Sequence, residues 1–159
     1  MIVYFVTLSD SEGSRFFAPL RMTGAVAKRP PMKAIEVSRS LDESKEYIAK
    51  GNAVQASEKL YKAVEECIKI LAEQHKLPEY SEAKEDGRWK NYLLAQAAGK
   101  LAYNLRRKEI EDAWARAFNI HVWGFHEGKF DVEDIKPDVP YVEWLIDYVK
   151  EKEGEFKKS

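Results

Sequence analysis

The sequence predicts an all-α fold, a single bundle of helices, and three observations carry that prediction. The stretch Asn52–Gln74 sets Leu60, Val64, Cys67 and Leu71 at steps of 4, 3 and 4. That is the spacing of one buried helical stripe. A similar period returns at Val37, Leu41 and Ile48, at Trp89, Leu93, Ala97 and Leu101, at Ile110, Ala113, Trp114 and Ala117, and at Val142, Leu145 and Val149. The connections are short: Gly51 directly precedes Asn52 between the first two stripes. An amphipathic helix of this kind is not stable alone in water, so each stripe requires a neighbour.

Residues 1–31 show no helical period. Ser, Gly and Pro interrupt them, and Arg29-Pro30-Pro31 closes the segment before Met32. It reads as an irregular N-terminal extension, or as sequence ahead of a true start at Met32. The bundle is expected over 32–153, with a polar tail over 154–159 that frays.

The first helix is expected over 33–50, ended by Gly51 as a left-handed cap. Asn52 then caps the second helix, and Gln55 three residues on makes a variant of the capping box. So tight a link makes the two helices antiparallel neighbours. Lys76–Gly87, with Pro78, Ser81, Asp86 and Gly87, reads as a loop or irregular turn. A third helix follows from Arg88 to Leu105, with a small-residue surface of Ala95, Ala97, Ala98, Gly99 and Ala102. A fourth is expected from Glu109 to His126, Phe130–Lys136 as an acidic turn, and a last helix from about Asp138 to Glu153. This makes five helices in one domain.

Composition excludes several function classes. The net charge is -1, from 26 Lys and Arg against 27 Asp and Glu, so no global basic field points to nucleic acid. The single Cys67 lies on the apolar stripe and reads as a small core residue. No run approaches a transmembrane length, and Met1–Leu8 lacks the basic region of a signal peptide. A cytoplasmic protein with no membrane contact is expected. Three Gln and four Asn in the whole chain fit a thermophilic source. No Gly-rich loop follows a strand, and His75, His121 and His126 give no zinc-ligand spacing. No cofactor and no metal are expected.

One constellation bears on chemistry. Arg116 and His121 lie on the fourth helix with four residues between them. At about 100° per residue they point roughly 140° apart, so they border one cleft only where a second chain completes it. A histidine can move protons near neutrality, and an arginine can stabilise a developing phosphorane. That pair suits metal-independent RNA cleavage. The bland alternatives are His121 at the core margin and Arg116 paired with Asp112 one turn earlier. Trp89, Trp114, Trp123 and Trp144 could stack bases, but at helical spacing they read as core.

The segment Ala56–Lys69, ASEKLYKAVEECIK, resembles the hallmark helix of the archaeal PaREP family, type one. The resemblance continues through Gly51-Asn52, Arg88-Trp89, Ala113-Trp114 and the run Ile120–Gly128, and spans about residues 33–152. It implies a fold similar to the HEPN superfamily, an up-and-down four-helix bundle with one added helix, usually a homodimer. That superfamily includes RNases with an Arg-x4-6-His motif and non-catalytic partners of small nucleotidyltransferases. Arg116 and His121 fall where the motif would lie, as the catalytic pair of such an RNase. Ala117 follows the arginine, where those RNases carry Asn, Asp or His. The resemblance therefore implies a homodimeric binding or accessory module, with a nucleotide, RNA or a nucleotidyltransferase as partner. The alternatives are a toxin-type endoribonuclease using Arg116 and His121, and a structural protein-interaction module.

Overall fold

A computed structural model of the chain describes residues 30–158, and no strand occurs among them. Residues 1–29 lie outside the described residues, and with them most of the expected irregular extension over 1–31; Pro30 and Pro31, expected to close it, instead open α1. The described chain is α1 (Pro30–Ala49), α2 (Ala53–Gln74), α3 (Pro78–Asp86), α4 (Asn91–Leu105) and α5 (Lys108–Ile120). A π-helical turn (His121–His126), α6 (Val132–Ile135), a 3-10 turn (Lys136–Asp138) and α7 (Val139–Lys158) complete it. The all-α class read from the sequence is the class observed. No helix among the described residues is long and apolar enough to cross a membrane.

The axis of the fold is α2. Asn52 caps it, its Oδ1 accepting the Gln55 N–H at 3.0 Å; the return bond of the expected capping box is not made, because the Asn52 N–H goes to Tyr47 O at 2.8 Å. The stripe residues Leu60, Val64, Cys67 and Leu71 are completely buried, and Tyr61, Ile68 and Ala72 on other sides are buried too. So α2 is covered nearly all round, by α1, α4, α5, α7, the π turn and the shorter helices. Each fully buried Leu or Val stabilises the fold by roughly 2 kcal/mol relative to an exposed one. Around this axis α1 packs on α2 and α7, and α5 packs on α4, α2 and α7. Gly51, at φ 76, makes the reversal from α1 into α2. Lys59 on α2 reaches Glu43 on α1 at 2.7 Å across that hairpin.

The segment expected as a loop before the third helix contains α3. Pro78 and Gly87, which mark a loop in the sequence, here start and stop a short helix. Pro78 stands in its first turn, where its missing N–H costs nothing, and Gly87 ends it in the left-handed conformation. With only Glu79 and Ala83 buried, α3 has too few apolar positions to show a period. Glu79 is held by Lys100 of α4. The third predicted helix accordingly starts at Asn91, not Arg88. Of its small-residue surface, Ala97, Ala98 and Ala102 are buried in the chain's own core, Gly99 is half-buried and Ala95 is exposed.

Three further boundaries differ. The acidic turn holds α6, started by a capping box in which Asp131 and Asp134 bond each other's backbone N–H groups. The last helix continues past Glu153 to Lys158. The fourth predicted helix stops being α-helical at Ile120 and goes on as a π turn. The Arg106–Lys108 cluster lies at the junction of α4 and α5. Arg106 is left-handed at φ 57 and Lys108 faces Asp112 at 3.5 Å, so two of these basic residues serve a helix end and a helix face.

Covering α2 this completely also encloses charge. Glu65, with a side chain only 12% exposed, lies 2.9 Å from Lys69 and 3.4 Å from Lys62. Burial pushes its carboxyl up, but Lys69 and Lys62 outweigh it and hold it down at about 2. The same pairing raises the Lys69 ammonium above its ordinary value despite burial. A carboxyl lowered in the folded state stabilises above its unfolded value of 4.5, and that contribution disappears as pH falls towards 2. Urea denaturation at pH 7 and near pH 2 should show Glu65 contributing on the order of 3 kcal/mol to the acid loss. The Glu65→Gln chain should lose that much less; an unchanged acid dependence would contradict the assignment.

Candidate functional site

The two residues singled out in the sequence lie at either side of the α5 end. Arg116, on α5, points to the start of α7. Its Nη1 donates to Asp138 Oδ1 at 2.9 Å, and its guanidinium lies 4.1 Å above the Tyr141 ring. Asp112, one turn before Arg116 and the partner that helical spacing suggests, faces Lys108 instead. Asp138 is buried, and burial pushes its carboxyl above the ordinary range; Arg116 draws it back only in part. The hydrogen bond to Asp138 raises the guanidinium in turn, so it stays charged.

His121 faces the other way, onto α2. Its ring stacks on Tyr61 at 3.8 Å between centroids and 19° between planes, with Phe125 stacked at 5.8 Å. Its Nδ1 lies 3.5 Å from Glu58 Oε1. The roughly 140° rotation inferred from the sequence is thus realised, and within one chain Arg116 and His121 serve different elements. Tyr61 is itself buried; desolvation, then the charges of Glu65 and Glu58, raises its phenol well above the ordinary value. It remains neutral, with its hydroxyl 3.3 Å from Asn91 Oδ1.

The π turn adds a residue that sequence spacing did not select. In an α-helix His121 and His126 would lie about 140° apart. In the π turn the backbone bonds reach five residues, as in Glu127 N–H to Val122 O at 2.8 Å. That register brings His126 over His121, with the two Nε2 atoms 3.0 Å apart. The rings meet edge on, at 80° and 4.4 Å between centroids. Two histidines whose spacing is not one of helical neighbours are therefore adjacent, and only the π register reveals it.

Packing fixes that register. Gly124, in the middle of the turn, is buried against α2. A Cβ there would come within 2.1 Å of Ser57 Oγ and 2.9 Å of Ser57 Cβ. Only a glycine lets the turn approach so closely. Three atoms along this seam, Ser57 Oγ, Glu58 Oε1 and His121 Nδ1, are buried with no hydrogen-bond partner. Trp123 points outward and is 45% exposed, while Trp114 is buried and Trp89 and Trp144 pack against the core. Cys67 is completely buried, and burial, then the charges of Glu66 and Glu153, raises its thiol well above the ordinary value, so it is an inert core residue. Among the described residues no group of three or more His, Cys, Asp or Glu is placed to hold a metal ion.

Fold and site together define a small all-α protein with a π turn seated on its central helix. The chain belongs to the archaeal PaREP1/PaREP8 family, whose model matches residues 33–146. It is similar to a crystal structure of a Sulfolobus solfataricus protein, at 34% identity and a TM-score of 0.63, over 72% of this chain and 93% of that one. A solution structure of the same structural-genomics target is similar at 35% identity and a TM-score of 0.62, over 71% and 87% of the two chains. Among curated proteins none matches the chain.

Gly124→Ala should lower stability by about 2 kcal/mol, the cost of overpacking a fitted seam. Ser57→Gly in the same chain should recover part of it, a coupling that a double-mutant cycle in urea measures. Additive losses would show that the two residues do not touch.

Proposed function

We propose that this protein works as a homodimeric binding or accessory module on a HEPN-like bundle, with a nucleotide, a nucleic acid or a nucleotidyltransferase as its partner. The observation that carries this reading over an RNase is the placement of Arg116. A catalytic arginine must bring its charge to the phosphate as negative charge develops. Here that charge is already compensated by Asp138 and covered on one face by Tyr141. The histidine that would share the work is stacked under Tyr61 on the opposite side. Ala117 after the arginine, where the RNases carry a polar residue, supports the same reading. Tyr92 and Tyr103 on α4 are exposed, the latter to 85%, and offer a second copy of the chain aromatic surface of the kind interfaces use.

The test is RNA cleavage in EDTA by the parent, Arg116→Ala and His121→Ala. The reading predicts no cleavage by the parent beyond that of the variants. Cleavage leaving 2′,3′-cyclic phosphate ends, lowered about 100-fold or more in both variants, would establish the endoribonuclease instead. Light scattering at micromolar concentration should give the mass of two chains; a single-chain mass would remove the dimer from the proposal.

A further inference from the structure

We propose that His121 and His126 chelate a divalent transition metal ion of the nickel or copper type through their two Nε2 atoms. Their separation is 3.0 Å. Two imidazole nitrogens that far apart, each about 2.1 Å from one ion, subtend an angle of about 90° at it. That is the angle between neighbouring ligands in octahedral or square-planar coordination, narrower than the tetrahedral angle zinc prefers.

Three features of the seam favour a shared ion over a plain hydrogen bond between the rings. The centroids are only 4.4 Å apart with the planes at 80°. A head-on N–H···N bond at the same nitrogen separation would hold the centroids farther apart. The second feature is Glu58. Its carboxylate stands 3.5 Å from His121 Nδ1, and neither of those facing atoms has a hydrogen-bond partner. A carboxylate there draws the ring proton to Nδ1 and leaves the Nε2 lone pair for an ion, the arrangement in which metal-bound histidines are usually oriented. The third is access. His126 is exposed, so an ion can enter from solvent, while His121 is fixed from behind by the Tyr61 stack.

The site supplies two protein donors and leaves the other positions to water. That agrees with the lack of any larger ligand group among the described residues. A spacing of five residues is not a helical ligand spacing, and the π turn makes it one.

The experiment is calorimetric titration of the full chain with nickel chloride near pH 7.5, beside His126→Ala, His75→Ala and Glu58→Gln. His75 is an exposed histidine away from the seam and controls for adventitious surface binding. The expected result is one nickel per parent chain, unchanged in His75→Ala, weakened roughly tenfold in Glu58→Gln and at least that much in His126→Ala. Nickel should also raise the thermal unfolding midpoint of the parent and of His75→Ala, but not of His126→Ala, a readout that also shows each variant to be folded. Equal binding by parent and His126→Ala, loss of the ion in His75→Ala, or no uptake by the parent would overturn the proposal.

Discussion

Everything else in this structure follows from burying one helix nearly all round. A surface helix needs a single apolar stripe, but α2 has Leu60, Val64 and Leu71 on one face and Tyr61, Ile68 and Ala72 on others, all buried. Such a helix must be surrounded, which is why the flanking helices are arranged about it and not in a layer beside it. Enclosure has a second consequence. Glu65 and Lys69 also lie on α2, and charges largely shut away from water must neutralise one another at close range, with the more exposed Lys62 beside them. The low Glu65 carboxyl value and the raised Lys69 are two expressions of that requirement.

The same enclosure shapes the site. To cover the N-terminal half of α2, the chain leaving α5 has to come closer than side chains allow, and Gly124 permits the contact with Ser57. The helix widens to a π turn there. Widening changes which residues are neighbours: His126 comes over His121, and His121 turns its other nitrogen to Glu58. Single π turns inside α-helices are rare and are frequently found at functional sites. Arg116, one turn earlier and still in α geometry, is carried round to Asp138. Ordinary α geometry thus separates the arginine from the histidine, and the change of period after Ile120 joins the histidine to a second one.

Much of the fold was legible in the sequence. The Asn52 cap, the Leu60–Leu71 stripe and the Gly51 reversal are local signals, and local physics decides them. The hallmark helix, together with Gly51-Asn52, Arg88-Trp89, Ala113-Trp114 and the Ile120–Gly128 run, also pointed to the family. What could not be read depended on contacts between distant segments. Helix α3 is held by Lys100 and by its end signals, with no apolar period to reveal it. Asp138 is 22 residues from Arg116, too far for any helical pairing rule, so Asp112 was the natural expectation. The His121–His126 pair was invisible because 100° per residue is the wrong rotation for a π turn, although the glycine that permits the turn stood between them in the sequence.

The claim on which the site rests is that the π register, seated on α2, joins His121 to His126 and to Glu58. Its most direct measurement is a two-bond proton–nitrogen correlation spectrum of the histidine rings at pH 8, with nuclear Overhauser contacts between them. The account predicts that His121 carries its proton on Nδ1, facing Glu58, and shows contacts to the rings of His126 and Tyr61. A His121 protonated on Nε2 with no contact to His126 would mean that α5 continues as an ordinary α-helix and that the site does not exist in this form.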